Sequence, residues 1–446
     1  MVGLARSGVA AALTLRERGE AVIGCDSGQA SSPPLREAVA RLAAAGIEAH
    51  LGGPQESLAA AGAATVIKSP GVPQEASLIR VAHARGMPVI GELELAWRLI
   101  PNEFVAVTGT NGKTTTTEWI GHIHREAGLP VAVAGNVGTA ASSLAARLPA
   151  EATVVCEASS FQLEDTSAFA PEAAVLLNLA VDHLDRHPSY EDYVAAKLRI
   201  FANQGNYDVA VAASGLGIED LGGCARRVRF GAAPDADLSE HAGYLWWGDE
   251  PLLGVEEIAL PGDHNRQNAM AAAAVCLARG VEREAVVEGV RTFAGVAHRL
   301  ERVAAIDGVA WINDSKATNV ASTMVALRAL DGGLHLIAGG RGKQQDFAPL
   351  APLVAASCRA VYLIGEAAGE LREALANTGV SLHDTRDLDR AVAAARAAAR
   401  PGETVLLSPA CASFDQFADF EARGERFRTL VAGLSPRADR VAARTE

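Results

Sequence analysis

The sequence is poor in several features, and each shortage excludes something. Its six cysteines (Cys25, Cys156, Cys224, Cys276, Cys358 and Cys411) stand singly, with no C-x-x-C pair. Neither a zinc site nor a disulfide framework is therefore expected, and a reducing cytoplasm fits best. No apolar run reaches the roughly 18 residues that a membrane helix needs. The mildly apolar start, 2–15, meets Arg16-Glu17-Arg18 without a small-residue cleavage site, so neither an export signal nor membrane insertion is expected. Basic residues are outnumbered, 40 lysine plus arginine against 53 acidic. That balance repels polyanions and argues against nucleic-acid binding.

Lysine is the scarcest charge of all. Only Lys68, Lys113, Lys197, Lys316 and Lys343 occur, in a chain that uses arginine wherever generic positive charge suffices. A retained lysine can mark a place where a compact primary amine is required. Random survival under a compositional bias is the alternative for any one of them.

The remainder is an ordinary globular composition, 49% hydrophobic and 21% charged over 446 residues, enough for about three domains. The first segment alternates short β-like runs (21–25, 64–68, 88–90) with alanine-rich helical stretches (9–18, 35–45), which predicts a parallel sheet with crossover helices. The second opens with a strand at 104–108 and continues through apolar runs at 152–156 and 173–179, suited to buried parallel strands. Strands are expected in the third segment at 309–313, 335–338, 361–364 and 404–408. The expected fold is α/β in three domains: a Rossmann-like N-terminal domain (1–95), a central P-loop ATPase-type parallel-sheet domain (96–296) and a C-terminal Rossmann-like α/β domain (297–446).

Two glycine loops invite a nucleotide. Gly3-Leu-Ala-Arg-Ser-Gly8 follows G-x-G-x-x-G with Ala5 at the middle glycine, and Asp26 lies near the position of a ribose-binding acid. A methyl group there hinders approach to a pyrophosphate, and only Met1 and Val2 stand upstream to form the feeding strand. The second loop, Gly109-Thr-Asn-Gly-Lys-Thr-Thr115, is far more specific: a buried strand runs into a tight turn and a helix, so backbone N–H groups and the helix N-terminus converge on a phosphate. Lys113 is placed for the β- and γ-phosphates and the Thr114 hydroxyl for Mg²⁺. Glu157 and His183 follow later strands, and in a parallel sheet both would emerge at the loop's own edge, making a candidate metal site.

These stretches, with Glu157-Ala-Ser-Ser-Phe-Gln-Leu163, 178–185, Gly262-Asp-His-Asn-Arg-Gln-Asn268, His298-Arg299 and Asn313-Asp-Ser-Lys-Ala-Thr-Asn319, resemble the ATP-dependent Mur ligases over nearly the whole chain. Within them, Ser159 to Leu163 and Leu407-Ser-Pro-Ala-Cys-Ala-Ser-Phe-Asp-Gln-Phe417 are similar to the members that add D-glutamate. The resemblance implies a cytoplasmic, monomeric enzyme that uses ATP and Mg²⁺ to join UDP-N-acetylmuramoyl-L-alanine to D-glutamate through an acyl phosphate. It implies catalytic roles for Lys113, His183, Lys197 and Lys316. Lys197 would be carbamylated by carbon dioxide and would help Thr114, Glu157 and His183 hold metal; the residues alone also allow a helix-surface lysine paired with Asp192. ATP would meet Gly109, Thr110, Asn111, Gly112, Lys113, Thr114, Thr115, Asn268 (adenine side), Arg299 (phosphate or linker) and Asp314 (ribose). The UDP-sugar would meet Arg6, Ser7, Asp26, Ser27, Ser69, Gly71, Asn136 and Ser159, and D-glutamate would meet Thr318, Lys343, Ser413 and Phe420. Gly339-Gly-Arg-Gly-Lys343 carries Arg341 where some relatives have an acid, and Lys68 has no role. Another amino-acid-adding Mur ligase, a nicotinamide-dependent oxidoreductase and a non-catalytic nucleotide-dependent protein remain the alternatives.

Overall fold

Short runs of small and β-branched residues make the strands, and helices cover them. The computed structural model describes residues 1–52, 62–135, 139–145, 147–182, 186–233, 235–342 and 345–434. The chain divides into two units, Met1–Ala294 and Gly295–Glu446.

In the first unit, strand β1 (Ile23–Asp26) pairs in parallel with β2 (Glu48–Leu51), and β3 (Val66–Lys68) with β4 (Val89–Gly91). Among the described residues, Val2 joins the two pairs, bridging in parallel to Cys25 and Lys68. Its N–H donates to Ile67 O at 2.8 Å and its carbonyl accepts from Ser69 N at 2.9 Å. Toward β1 the bonds are made by its neighbours, Cys25 N donating to Met1 O and Gly3 N to Cys25 O, both at 2.8 Å, so the feeding strand that the sequence barely supplies is the three residues around Val2. Helix Arg6–Glu17 follows at once. Gly8 is required for this tight exit, because a Cβ there would fall 1.8 Å from Gly3 O.

The same unit holds a nine-stranded sheet built from β5 (Phe104–Thr108), β6 (Val131–Gly135), β7 (Thr153–Glu157), β8 (Ala173–Leu176), β9 (Val209–Ala213), β10 (Arg226–Gly231), β11 (Leu238–His241), β12 (Tyr244–Trp247) and β13 (Glu250–Gly254). Its order is β13-β12-β11-β10-β9-β8-β5-β7-β6, parallel except where β12 meets β11 and β13. β5 lies inside the sheet with every residue buried, which is why it reads as an unbroken apolar run. The strand expected over 173–179 ends at Leu176. The chain then turns across the end of β5, with Leu177 N donating to Thr108 O at 3.0 Å, so 177–182 is free to wrap the loop that follows.

The second unit carries a six-stranded sheet from β14 (Glu301–Ile306), β15 (Val309–Asn313), β16 (Leu334–Gly339), β17 (Cys358–Ile364), β18 (Ser381–Arg386) and β19 (Thr404–Leu407), ordered β14-β15-β19-β16-β17-β18. Only β14 is antiparallel. The carboxyl ends of β15, β16 and β19 are cross-linked there, Asp314 N donating to Leu407 O at 2.7 Å and Gly339 N to Pro409 O at 2.8 Å. Ligands of parallel sheets bind at this kind of edge.

Candidate functional site

β5 delivers the chain into Gly109–Gly112, and helix Lys113–Glu126 begins immediately. Gly112 has φ 85°, and a Cβ on it would meet Asn268 Oδ1 at 2.2 Å, so both backbone conformation and space demand glycine. Asn268, in helix Asp263–Ala278, also accepts from Thr116 Oγ1 at 3.3 Å. It therefore abuts the phosphate loop itself.

The loop is held from the side by residues after β8. Asn178 makes a reciprocal pair with Asn111, its Oδ1 accepting from Asn111 N at 2.8 Å and its Nδ2 donating to Asn111 O at 3.0 Å. Thr110 N donates to Asn178 O at 3.0 Å, and the Thr110 and Tyr193 hydroxyls lie 2.9 Å apart. Asn178 stood in a recognised motif without a role, and Tyr193 was missed altogether. Its signal was available: it precedes Lys197 by four residues in helix Tyr190–Leu198, which sets the two on one face.

Four of the expected catalytic and metal groups, Lys113, Lys197, Thr114 and Glu157, come together at this loop. Lys113 Nζ donates to Gly109 O and to Thr110 O, both at 2.9 Å. Lys197 Nζ donates to the same Gly109 O at 2.8 Å and lies 4.5 Å from the centre of the Tyr193 ring. Thr114 Oγ1 donates to Glu157 Oε2 at 2.7 Å, and Glu157 is only 4% exposed. Lys197 is 2% exposed and is no surface partner of Asp192, whose carboxylate accepts from Ser189 instead. Burial, reinforced by the charge of Lys113, brings the Lys197 ammonium down to about 7; Asp182 and Glu157 oppose the shift.

His183 lies outside the described residues, as do Asn136 and Lys343. Among the described residues, no three His, Cys, Asp or Glu side chains gather as a metal site. Thr115 is buried behind the loop. Ser159 caps helix Ser160–Glu164 in a capping box with Gln162, so the Ser-Ser-Phe-Gln motif has a helix-starting function besides any role toward a ligand.

The first glycine loop is built from its own side chains. Asp26 accepts from Leu4 N at 2.7 Å and from Gly28 N at 2.8 Å, tying the turn after β1 to the loop before helix Arg6–Glu17. Ser7 and Ser69 hydroxyls are 3.1 Å apart, which joins this loop to the one after β3. Arg6, Ser27 and Gly71 are exposed.

In the second unit, Asp314 accepts from Ser408 Oγ at 2.7 Å and from Leu300 N at 3.2 Å; burial raises its carboxyl to about 6. Lys316 N donates to His298 O at 3.0 Å, which orders the turn beside Arg299, itself exposed. Arg423, 1% exposed, donates to Ser315 O and Ser315 Oγ and to Cys411 O, and so fastens the turn bearing Lys316 to the segment bearing Ser413. Nothing in the sequence distinguished this arginine. Ser413 is buried, Thr318 is half-covered, and Phe420 opens helix Phe420–Ala432 with its carbonyl accepting from Ser315 Oγ at 2.8 Å. Arg341 forms a two-pronged pair with Glu366, at 3.1 and 3.2 Å, so its charge is answered locally.

A phosphate loop at the mouth of a parallel sheet, with two lysines on one of its carbonyls and a carboxylate on its threonine, defines an α/β protein built to hold a nucleoside triphosphate. Residues 107–276 match the model of the Mur ligase middle domain, and 298–411 that of the Mur ligase, glutamate ligase domain. The chain is 40% identical to UDP-N-acetylmuramoylalanine–D-glutamate ligase of Pelotomaculum thermopropionicum, covering 97% of each, and 42% identical to the enzyme so named of Acidobacterium capsulatum, covering 97% of this chain and 95% of that one. Among solved structures, UDP-N-acetylmuramate-alanine ligase from Thermotoga maritima aligns over 97% of this chain and 98% of its own with a TM-score of 0.57 at 21% identity, a likeness of fold. The chain belongs to the Mur ligase family, among its D-glutamate-adding members. That membership leaves no place for the nicotinamide reading of the first loop.

Proposed function

We propose that this chain joins D-glutamate to UDP-N-acetylmuramoyl-L-alanine at the expense of ATP, in cytoplasmic synthesis of the peptidoglycan precursor. The observation that carries the reading is the meeting of Lys113, Lys197, Thr114 and Glu157 on one phosphate loop, in a chain of this family.

A carboxylate resists attack by an amine, so its oxygen must first become a leaving group. In the proposed sequence the γ-phosphoryl breaks from the β-phosphate oxygen and bonds to a carboxylate oxygen of the acceptor's alanine. The D-glutamate amine, relieved of a proton, then attacks the acyl carbon, and phosphate leaves with the C–O electron pair. Catalysis of this kind rests on positioning and on positive charge around the transferring group. Lys113 would exchange its two loop carbonyls for β- and γ-phosphate oxygens. The N–H groups of the loop and the start of helix Lys113–Glu126 would hold the phosphate chain.

The Thr114 hydroxyl and the Glu157 carboxylate, 2.7 Å apart beside the loop, are hard oxygen donors of the kind Mg²⁺ accepts alongside phosphates. They would hold the ion, with His183 and a carbamylated Lys197 as further ligands, and it would neutralise developing phosphate charge. In the second unit, Asp314 would take the ribose, Arg299 a phosphate or linker and Lys316 the transferring group, while Thr318, Lys343, Ser413 and Phe420 would receive D-glutamate. Arg6, Ser7, Asp26, Ser27, Ser69, Gly71, Asn136 and Ser159 would receive the UDP-sugar. Three-domain organisation, with boundaries near 95 and 296, belongs to the same proposal.

Phosphate release with UDP-N-acetylmuramoyl-L-alanine and each amino acid in turn tests the reading. D-glutamate is expected to be the only efficient acceptor; comparable turnover with L-alanine or a diamino acid would overturn it.

A further inference from the structure

Lys68 has no part in the chemistry above, yet its side chain is 1% exposed and lies 2.8 Å from Asp165 Oδ2, itself 3% exposed. The ammonium's directed hydrogen bond goes to Val72 O at 2.7 Å. Lys68 ends β3, immediately before Ser69-Pro-Gly71, and Asp165 caps the C-terminus of helix Ser160–Glu164. Gln74 Nε2 donates to the other oxygen of Asp165 at 2.7 Å, and Gly91 N donates to its carbonyl at 2.8 Å. A Cβ on Gly91 would sit 2.8 Å from Asp165 Cβ, so the approach is close as well as bonded. On the other side Arg186 donates to Pro70 O at 3.4 Å while its guanidinium stands 4.6 Å from the centre of the Phe161 ring.

Segment 68–74 is therefore fastened to helix Ser160–Glu164 at both ends of that short helix. A buried ion pair is a poor way to gain stability over apolar packing, but it fixes one geometry, since either charge left alone is penalised. Burial raises the Asp165 carboxyl, and the charge of Lys68 is the foremost influence holding it down.

We infer that the Lys68–Asp165 pair is a positioning device for the acceptor: it sets the 69–74 loop at a fixed distance from Ser159 and Glu157, so that a UDP-sugar seated on the loop presents its carboxylate to the phosphate site. This rests on the proposed function. Lys68 acts through the loop and touches no reacting atom.

The test is steady-state kinetics on the full chain with each substrate varied in turn, beside thermal melting. Lys68→Met is expected to raise the KM for UDP-N-acetylmuramoyl-L-alanine about tenfold while leaving kcat and the KM values for ATP and D-glutamate within about twofold. Lys68→Met/Asp165→Leu removes both charges and is expected to melt as the wild type does, yet to keep the raised acceptor KM. A purely structural pair predicts the opposite, recovery of that KM along with stability, and this result would overturn the inference. If Lys68→Met does not fold, Gln74→Ala decides, because it cuts one tie and orphans no charge. Its acceptor KM should rise about threefold with the other two constants unmoved, and an unchanged value refutes the clamp. A wild-type protein without turnover would instead bring down the proposed function, an outcome distinct from an active wild type and an unaffected variant.

Discussion

Lys197 invites a perturbation whose size follows from its surroundings. An ordinary lysine at pH 7 is neutral in roughly one molecule in 3,000, whereas an amine whose pKa is about 7 is neutral in about half. Only the neutral amine adds to carbon dioxide, forming an N–C bond and releasing one proton as the carbamate appears. Burial of this side chain against Tyr193, beside Lys113, thus enlarges the reactive fraction by about three orders of magnitude. Lys197→Arg keeps a cation but supplies no such nucleophile. If the carbamate helps hold a metal worth about 3 kcal/mol at the transition state, kcat in the phosphate-release assay should fall about 100-fold. Wild-type protein equilibrated with ¹³C-bicarbonate should show a carbamate resonance that is missing from the variant. Near-wild-type turnover of Lys197→Arg, or no resonance in the wild type, would refute the reasoning. Stability provides a second readout. The folded-state pKa is depressed, so between about pH 7 and 10.5 the unfolded chain binds the proton and the folded chain does not. This lysine's contribution to stability therefore rises with pH across that window, by up to about 1.4 kcal/mol per unit, and is least favourable below it. Denaturant melts of Lys197→Met should lack that slope.

Gly112→Ala forces a side chain into φ 85° and places its Cβ 2.2 Å from Asn268 Oδ1, so the loop or the Asn268 side chain must shift. The KM for ATP should rise at least tenfold, with a stability loss of about 1–2 kcal/mol, and Asn268→Ala in the same chain should relieve part of the stability loss. Glu157→Gln, which leaves Thr114 a hydrogen-bond acceptor but removes the charge, should shift half-saturation by Mg²⁺ to at least tenfold higher concentration; an unshifted magnesium titration would exclude Glu157 as a ligand. Asp314 has its folded-state pKa raised to about 6, so ionising it costs stability as pH climbs from about 4 to 6. Asp314→Asn should therefore stabilise the unliganded protein at pH 7 by up to about 3 kcal/mol while weakening nucleotide binding, as seen by melting and by calorimetry.

The site was legible where chemistry and local conformation ask for the same residues. Gly109, Gly112, Lys113 and Thr114 are dictated together by a turn, a helix start and a phosphate, so their spacing speaks even in a single chain. Strand β5 was legible for the same reason, since burial on both faces writes an apolar run. What escaped was long-range. Val2 could not be foreseen as a strand because its meaning comes wholly from Cys25 and Lys68 on either side. The β10–β13 ribbon (226–254) carries exposed polar and aromatic residues with no clean alternation, and its strands exist by pairing with neighbours. Arg423 resembles any surface arginine until the turn at Ser315 and the carbonyl of Cys411 close over it.

The scarcity of lysine separates these cases further. Lys113 and Lys197 meet on the carbonyl of Gly109, which places two amines where phosphate charge would accumulate. Had composition alone preserved Lys68, it would be expected among the solvent-exposed side chains where most lysines lie. It is instead one of the largest fully buried side chains of the molecule. A flexible ammonium of this length can reach both Asp165 and Val72 O, which the rigid fork of arginine would not do in the same space. Burial thus closes around a compact amine at Lys68, which has no chemistry, as it does at Lys197. In both places a compact amine was kept because the site is closed, and Lys68→Arg should consequently be no more tolerated than Lys68→Met.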